Sequence, residues 1–305
     1  MRLNRWLVFA MVTTGFWGIW GAMIELPEKA GFPATLGYSV WSLTMIPPAL
    51  AAMRLARWKL DRDGRSVLLG SVIGLLGAGG QLVLFEALRL GPAYIVFPVI
   101  SLSPVVTILL SVGILKERAS PRGWAGIALA LMAIPLLSYL PPAESGVSGY
   151  GWVFLSLLVF LSWGVQAFVM KLANRTMTAE SIFFYMMVTG IILAPAALWM
   201  TDFAKPIHWG FRGPYLAALI MSLNSIGALT LVYAFRYGRA IIVSPMANAG
   251  APVITILASL GIYQVLPRPV AGAGMILAIA AAILLSLEPE EPATVSRLPH
   301  DLSGA

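Results

Sequence analysis

The chain has 305 residues, a formal net charge of +7, 59% hydrophobic and 11% charged residues, and a mean hydropathy of +0.86. Soluble domains carry about 25% charged residues, so most of this chain is solvated by lipid, and basic residues confined to short loops exclude a nucleic-acid surface. Its lack of cysteine excludes a disulfide, a thiol nucleophile or a thiolate metal site, and its two histidines, His208 and His300, fall in a loop and the tail.

A helical crossing needs roughly 20 apolar residues, and ten such stretches follow one another. They run over 6–24, 36–53, 67–88, 93–115, 122–140, 150–170, 181–200, 214–235, 240–263 and 270–287. Strands of a membrane barrel would alternate over about 9–11 residues, and nothing here does. The first segment carries Trp17, Trp20 and, near its end, Glu25; the second carries Trp41, Pro47 and Pro48. The third is crowded with glycine from Gly70 to Gly80, holds Gln81 and ends in Glu86. The fourth holds Tyr94, Pro98, Ser101, Ser103 and Pro104, and the sixth Trp163, Gln166 and Lys171. Pro135 and Pro195 interrupt segments five and seven. Tyr185 lies in the seventh, Asn224, Ser225 and Tyr233 in the eighth, and Pro245, Asn248 and Pro252 in the ninth. The tenth presents the row Gly274, Ala278, Ala282, and a Glu/Pro-rich tail begins at Glu288.

Half a chain separates two copies of one pattern. Leu84, Ala87, Arg89, Gly91, Ala93, Ile95, Val96 and Pro98 return 147 positions on as Leu231, Ala234, Arg236, Gly238, Ala240, Ile242, Val243 and Pro245. After a one-residue insertion, Pro104, Val105, Thr107, Ile108, Ser111 and Gly113 return 148 on as Pro252, Val253, Thr255, Ile256, Ser259 and Gly261. Trp17-Gly18 returns as Trp163-Gly164, so the first segment is expected to be retained rather than cleaved as a signal peptide. A duplication decides architecture before other signals. The expected units are 1–145, 146–287 and a disordered cytoplasmic tail over 288–305.

Five crossings per copy is an odd number, so the second copy enters the membrane in the opposite sense. The fold class expected is therefore all-α, with ten transmembrane helices as two inverted five-helix repeats. Inverted repeats place a site near the bilayer midplane between the halves. With the N-terminus in the cytoplasm, 15 Lys and Arg fall inside and 5 outside, which puts both termini in the cytoplasm. The expected location is a bacterial cytoplasmic membrane.

The residues Trp17-Gly18, Trp163-Gly164, Lys171, Ala87-x-Arg89-x-Gly91 with Pro98, Lys116-Glu117-Arg118 before Gly126, and Ala234-x-Arg236-x-Gly238 with Pro245 resemble the drug/metabolite transporter superfamily, EamA type. The resemblance covers roughly 6–287. It implies a ten-helix bundle whose cavity is lined by helices 1–4 and 6–9, with helices 5 and 10 peripheral. Two departures stand out: Tyr263-Gln264-Val265 replaces an acidic residue after helix 9, and Glu25 occupies the position equivalent to Lys171.

The substrate-binding candidates are Trp17, Trp20, Trp41, Gln81, Tyr94, Ser101, Trp163, Gln166, Tyr185, Asn224 and Asn248. Trp6, Trp58 and Trp152 fit an interfacial belt instead. Pro98, Pro104, Pro245 and Pro252 are candidates to shape gates, since proline frees a carbonyl that only a cavity or neighbouring helix can satisfy; static kinks for packing are the plainer reading. Ionisable groups at depth default to function. Glu86 is either a proton-coupling carboxyl or a rim group paired with Arg89 one turn away. Lys171 and Glu25 are either transport residues or groups reaching water at the helix ends. The helix 10 row packs internally or forms a homodimer face, as helix 5 also could.

With no HExxH, GxSxG or Walker-type loop, no catalytic residue, metal or cofactor is expected. The function expected is secondary, alternating-access transport of a small polar or amphiphilic metabolite, such as an amino acid or related compound. Transport of a sugar-like metabolite, or a non-transporting receptor or scaffold, is the alternative.

Overall fold

The computed structural model describes residues 4–139, 150–264 and 268–289, without the side chains of Ala93, Tyr94, Pro98 and Tyr263. The described residues form helices and no strand. Eight helical stretches are long and apolar enough to cross a membrane, and Pro121–Leu137 is a shorter apolar helix.

In chain order the helices are α1 (Arg5–Met23), α2 (Glu25–Lys29), α3 (Ala34–Thr44), α4 (Ile46–Leu55), α5 (Gly64–Gly74), α6 (Gly80–Leu90), α7 (Ala93–Ser101) and α8 (Pro104–Leu110). Then follow α9 (Pro121–Leu137), α10 (Gly151–Ala173), α11 (Ala179–Trp199), α12 (Leu216–Tyr237), α13 (Ala240–Tyr263) and α14 (Pro269–Ser286). Local chemistry explains their ends. Asp63, Ser120 and Thr178 cap α5, α9 and α11 by accepting from the N–H groups of Ser66, Gly123 and Ser181. Hydrogen bonds donated by the Ser66 hydroxyl and N–H hold the exposed Asp63 carboxyl below the usual carboxylate range. Lys116 and Gln264, 148 positions apart, both stop their helices in the left-handed conformation, with φ of 57° and 55°.

The second and fourth segments are broken, not continuous. Segment 2 bends at the fully buried Met45, and Pro47 and Pro48 sit in the first turn of α4, where missing N–H groups cost nothing. Segment 4 breaks at Leu102–Ser103, and Pro104 opens α8. Its matched partner behaves differently: α13 runs unbroken through Pro245 and Pro252, and α7 likewise runs on past position 98. Of the four matched prolines, only Pro104 therefore stands at a helix break. Segment 3 contains a π-helical turn, Leu75–Gly79, absent from the sequence reading.

Packing is reciprocal. Helix α1 lies between α12 and α13, while α10 lies against α5, α6, α7 and α8. Helix α11 packs on α3 and α5, α3 on α12, and α9 on α14 and α13. The Gly274–Ala278 row on α14 is buried against α9, where a Cβ on Gly274 would come 3.0 Å from the Leu136 Cβ. That contact is the internal packing that the sequence allowed for this row. Glu288, read as tail, is 3% exposed and accepts hydrogen bonds from the Ser120 hydroxyl and from Arg239. Residues 290–305 lie outside the described residues.

Candidate functional site

Three contacts are made twice, once in each direction between the copies. The Trp17 indole N–H donates to the Asn224 carbonyl (3.2 Å), and Trp163 donates to the Gly77 carbonyl (3.4 Å); Gly77 and Asn224 are 147 positions apart. The Thr255 hydroxyl donates to the Gly18 carbonyl (3.0 Å), and Thr107, 148 positions earlier, donates to Gly164 (2.9 Å). Trp6 packs against Gly238 and Trp152 against Gly91. Glycine is required on the receiving side because the indoles of Trp17 and Trp163 lie where Cβ atoms of Gly227 and Gly80 would stand. Trp6 and Trp152 are consequently buried at 1% and 9% exposure, which corrects their reading as belt residues; Trp58 is exposed.

Between the two Trp–Gly contacts lies a polar, uncharged cluster. The Trp41 indole donates to the Asn224 side-chain oxygen (2.8 Å), so one asparagine receives two indoles, one on its backbone and one on its carboxamide. Tyr38 stacks obliquely on Trp41 at 5.2 Å between ring centroids and donates to the Ala78 carbonyl in the π-helical turn. On the far side of that turn, the Gln166 amide occupies the space a Gly77 side chain would need. The π-turn thus serves as a hub, and π-turns recur at functional sites. The Asn224 Nδ2 and the amides of Gln166 and Gln81 have no protein hydrogen-bond partner among the described residues. All three side chains are half-buried, and none of these amide atoms is fully enclosed. Thr44 and Ser225 share a hydroxyl hydrogen bond (2.9 Å) one turn away.

Other candidates are placed elsewhere. Trp20 donates to the Met221 sulfur (3.4 Å). Ser101 accepts from Ser138 at the end of α9, and the Asn248 amide bonds back to the Ser244 carbonyl within α13. Tyr185 donates to the Asp61 carbonyl (2.7 Å) at the end of the bundle, so it does not join the central cluster. The side chains of Tyr94 and Pro98 lie outside the described residues.

The charged candidates all sit at the ends. Glu86 is ion-paired with Arg89, and Glu25 with Lys29 at 2.6 Å, both pairs substantially exposed. Glu86 therefore has the rim geometry and not an apolar site. Lys171 neither lines the cluster nor reaches water. It is 3% exposed and donates to the carbonyls of Phe235 (3.1 Å) and Gly238 (2.7 Å), capping the negative end of α12. Sequence reasoning missed Asp61 and Glu180, and quoted Glu117 as part of a motif without a role. Glu117 accepts from the Ile241 N–H (3.1 Å) at the start of α13, and Glu180 accepts from the Tyr233 hydroxyl (2.7 Å). These partners are distant in sequence, so no local pattern announces them. No group of three or more His, Asp or Glu able to hold a metal occurs among the described residues.

A helical bundle with a neutral polar centre, built from two reciprocal copies, matches one family model twice, over residues 4–139 and 150–287, and that model is described as the EamA-like transporter family. The chain belongs to the EamA-like transporter family. It is an integral membrane protein and a membrane transporter. Protein RarD of Streptomyces exfoliatus is 25% identical over 95% of this chain and 91% of its own length. Protein LicB of Haemophilus influenzae is 25% identical over 59% of this chain and 62% of its own length. A solved crystal structure matches 92% of this chain and 96% of its own with a TM-score of 0.74 at 19% identity, a likeness of fold.

Proposed function

We propose that this EamA-family protein is a secondary transporter that moves a small, net-neutral polar metabolite by alternating access. In this reading α3 and α4 together form a second crossing and α9 the fifth. The chain then makes ten crossings in two inverted halves, with both termini in the cytoplasm. The observation that carries the proposal is the doubled Trp–Gly–Thr contact: each copy's first crossing is seated on the third and fourth crossings of the other. Inverted halves meeting through equivalent contacts can exchange roles about a site at the midplane.

The chemistry of that site narrows the solute. Asn224, Gln166 and Gln81 offer carboxamide donors and acceptors, Trp41, backed by the buried Tyr38, offers a ring face, and the ionisable candidates Glu25, Glu86 and Lys171 are engaged at the ends. A zwitterion such as an amino acid or a related compound fits this set, and a polyanion does not. A sugar-like solute is the second reading, favoured by carboxamides beside indole faces with no charge between them.

Purified protein in proteoliposomes tests this directly. Counterflow of neutral amino acids and of neutral sugars should reveal one class that is taken up, and a scaffold or enzyme would move neither. Orientation has its own test, simplified by the absence of native cysteine. Cysteines introduced at Gly64 and at Lys205, both exposed, should react with an impermeant thiol reagent from opposite faces of the membrane. Labelling of both from one side would overturn the inverted topology.

A further inference from the structure

We propose that Asp61 is the lock of the gate at the end of the bundle that carries the basic loops, and that the protein rests closed there. This inference builds on the alternating-access reading above. Asp61, in the loop before α5, reaches across to the start of α11 in the other half. Its Oδ2 accepts from the Thr178 N–H (2.7 Å) and from the Thr178 hydroxyl (2.9 Å). Its backbone N–H donates to the Ser181 hydroxyl (3.0 Å), and its carbonyl accepts from Tyr185 (2.7 Å). Four hydrogen bonds from one residue therefore tie the two halves together, and Thr178 is itself the cap of α11. A carboxylate acceptor makes two of them roughly twice as strong as neutral ones.

The equivalent place at the opposite end supplies the comparison. His208 lies 147 positions after Asp61, and Gly31 lies 147 before Thr178. There the contact among the described residues is a backbone hydrogen bond, His208 N–H to the Gly31 carbonyl (3.0 Å). Its neighbours are uncharged: a Thr35–Thr201 hydroxyl pair and an edge contact between Phe32 and Trp209. Among the described residues, the ion pairs Lys29–Glu25, Arg89–Glu86 and Lys205–Asp202 at that end each join residues three or four apart. At the Asp61 end, further charged groups span the halves. Glu117 binds the Ile241 N–H, Arg239 bonds to the Arg118 carbonyl (2.8 Å), and Glu288 accepts from the Ser120 hydroxyl. Equivalent positions thus carry closures of unequal strength. In the orientation proposed above, the stronger one faces the cytoplasm, so solute from the outer side meets the more easily opened gate.

Spin labels measure the gate without reference to a substrate. Arg62→Cys and Thr176→Cys, both at exposed positions, flank the lock; Glu28→Cys and Lys205→Cys flank its counterpart. In lipid nanodiscs the 62/176 pair should give one narrow short distance, and the 28/205 pair a broader distribution. Asp61→Ala should raise the ratio of long to short 62/176 distances about tenfold, a shift equivalent to ~1.4 kcal/mol. Asp61→Asn, which keeps the shape and loses the charge, should give a smaller shift in the same direction and decides the matter if the Ala variant does not fold. If neither variant moves the 62/176 distribution while the parent protein transports solute, the lock is refuted and the transporter reading stands. A parent protein that moves no solute withdraws the transporter reading and the lock with it.

Discussion

Gly18→Val and Gly164→Val should each lower the melting temperature of the purified protein by about 2–6 °C, the two falling within a few degrees of each other. A Cβ at Gly18 would overlap the Ile254 side chain and approach the Ala251 carbonyl; at Gly164 it would overlap Val106 and the Ser103 carbonyl. Ile254 and Val106 are branched at Cβ, and a carbonyl oxygen belongs to its helix, so neither can turn aside. Overpacking of this kind costs about 1–3 kcal/mol, and each 1 kcal/mol corresponds to roughly 2 °C in a protein of about 300 residues. The same change also pushes away the Thr255 or Thr107 hydroxyl that bonds to the glycine carbonyl. Gly15, three residues earlier on α1, has nothing within 4 Å of a built Cβ. Gly15→Ala should therefore melt at or above the parent temperature, since alanine is the better helix former. Differential scanning fluorimetry distinguishes the cases, and a Gly18→Val protein as stable as its parent would mean that α1 and α13 are not in close contact.

Asn224→Asp should abolish most transport while leaving the fold intact. The aspartate oxygen can still accept from Trp41, and the backbone carbonyl still receives Trp17. What disappears is the Nδ2 donor, and what appears is a negative charge in an uncharged cluster, where a charge at depth is costly. Under the proposed function, uptake at limiting solute should fall at least tenfold, about the worth of one hydrogen bond to a bound group. Asn224→Leu should be worse in both respects, because it strands the Trp41 N–H as well. Unchanged counterflow by a well-folded Asn224→Asp protein would remove the carboxamide from the site.

The sequence announced the bundle's repeating plan more clearly than its chemistry. Long apolar runs, the 147-residue return of Ala87-x-Arg89-x-Gly91 and the Trp–Gly pair were legible because burial in lipid and close helix contact constrain residue type directly. Thr107 and Thr255 stood in the repeated pattern as well, although only the structure shows them bonding to Gly164 and Gly18. The π-turn at Leu75–Gly79 was hidden, since five small or apolar residues satisfy an α-helical pattern equally well. The fate of Lys171 was hidden for another reason. Its partners are backbone carbonyls, which carry no mark in the sequence. Glu86 and Arg89, by contrast, were readable as a pair from their spacing of three. Tyr38 was not singled out in the sequence, yet it joins Trp41 to the π-turn.

The exchange of α1 and α10 between the copies bears on the origin of the chain. If each copy keeps its first helix on the other copy's third and fourth segments, a single copy on its own lacks the partner that fills those grooves. The glycines at 80 and 227 would then face lipid through gaps sized for indole. In the inverted ten-crossing topology proposed above, a free-standing five-crossing ancestor would have existed as an antiparallel pair that traded first helices, a domain-swapped dimer in the membrane. Fusion of two such chains would turn an encounter between molecules into an intramolecular one, and would free the two sequences to diverge. The present chain carries that divergence in the contrast between an aspartate-tied end and a backbone-tied end of what began as one interface.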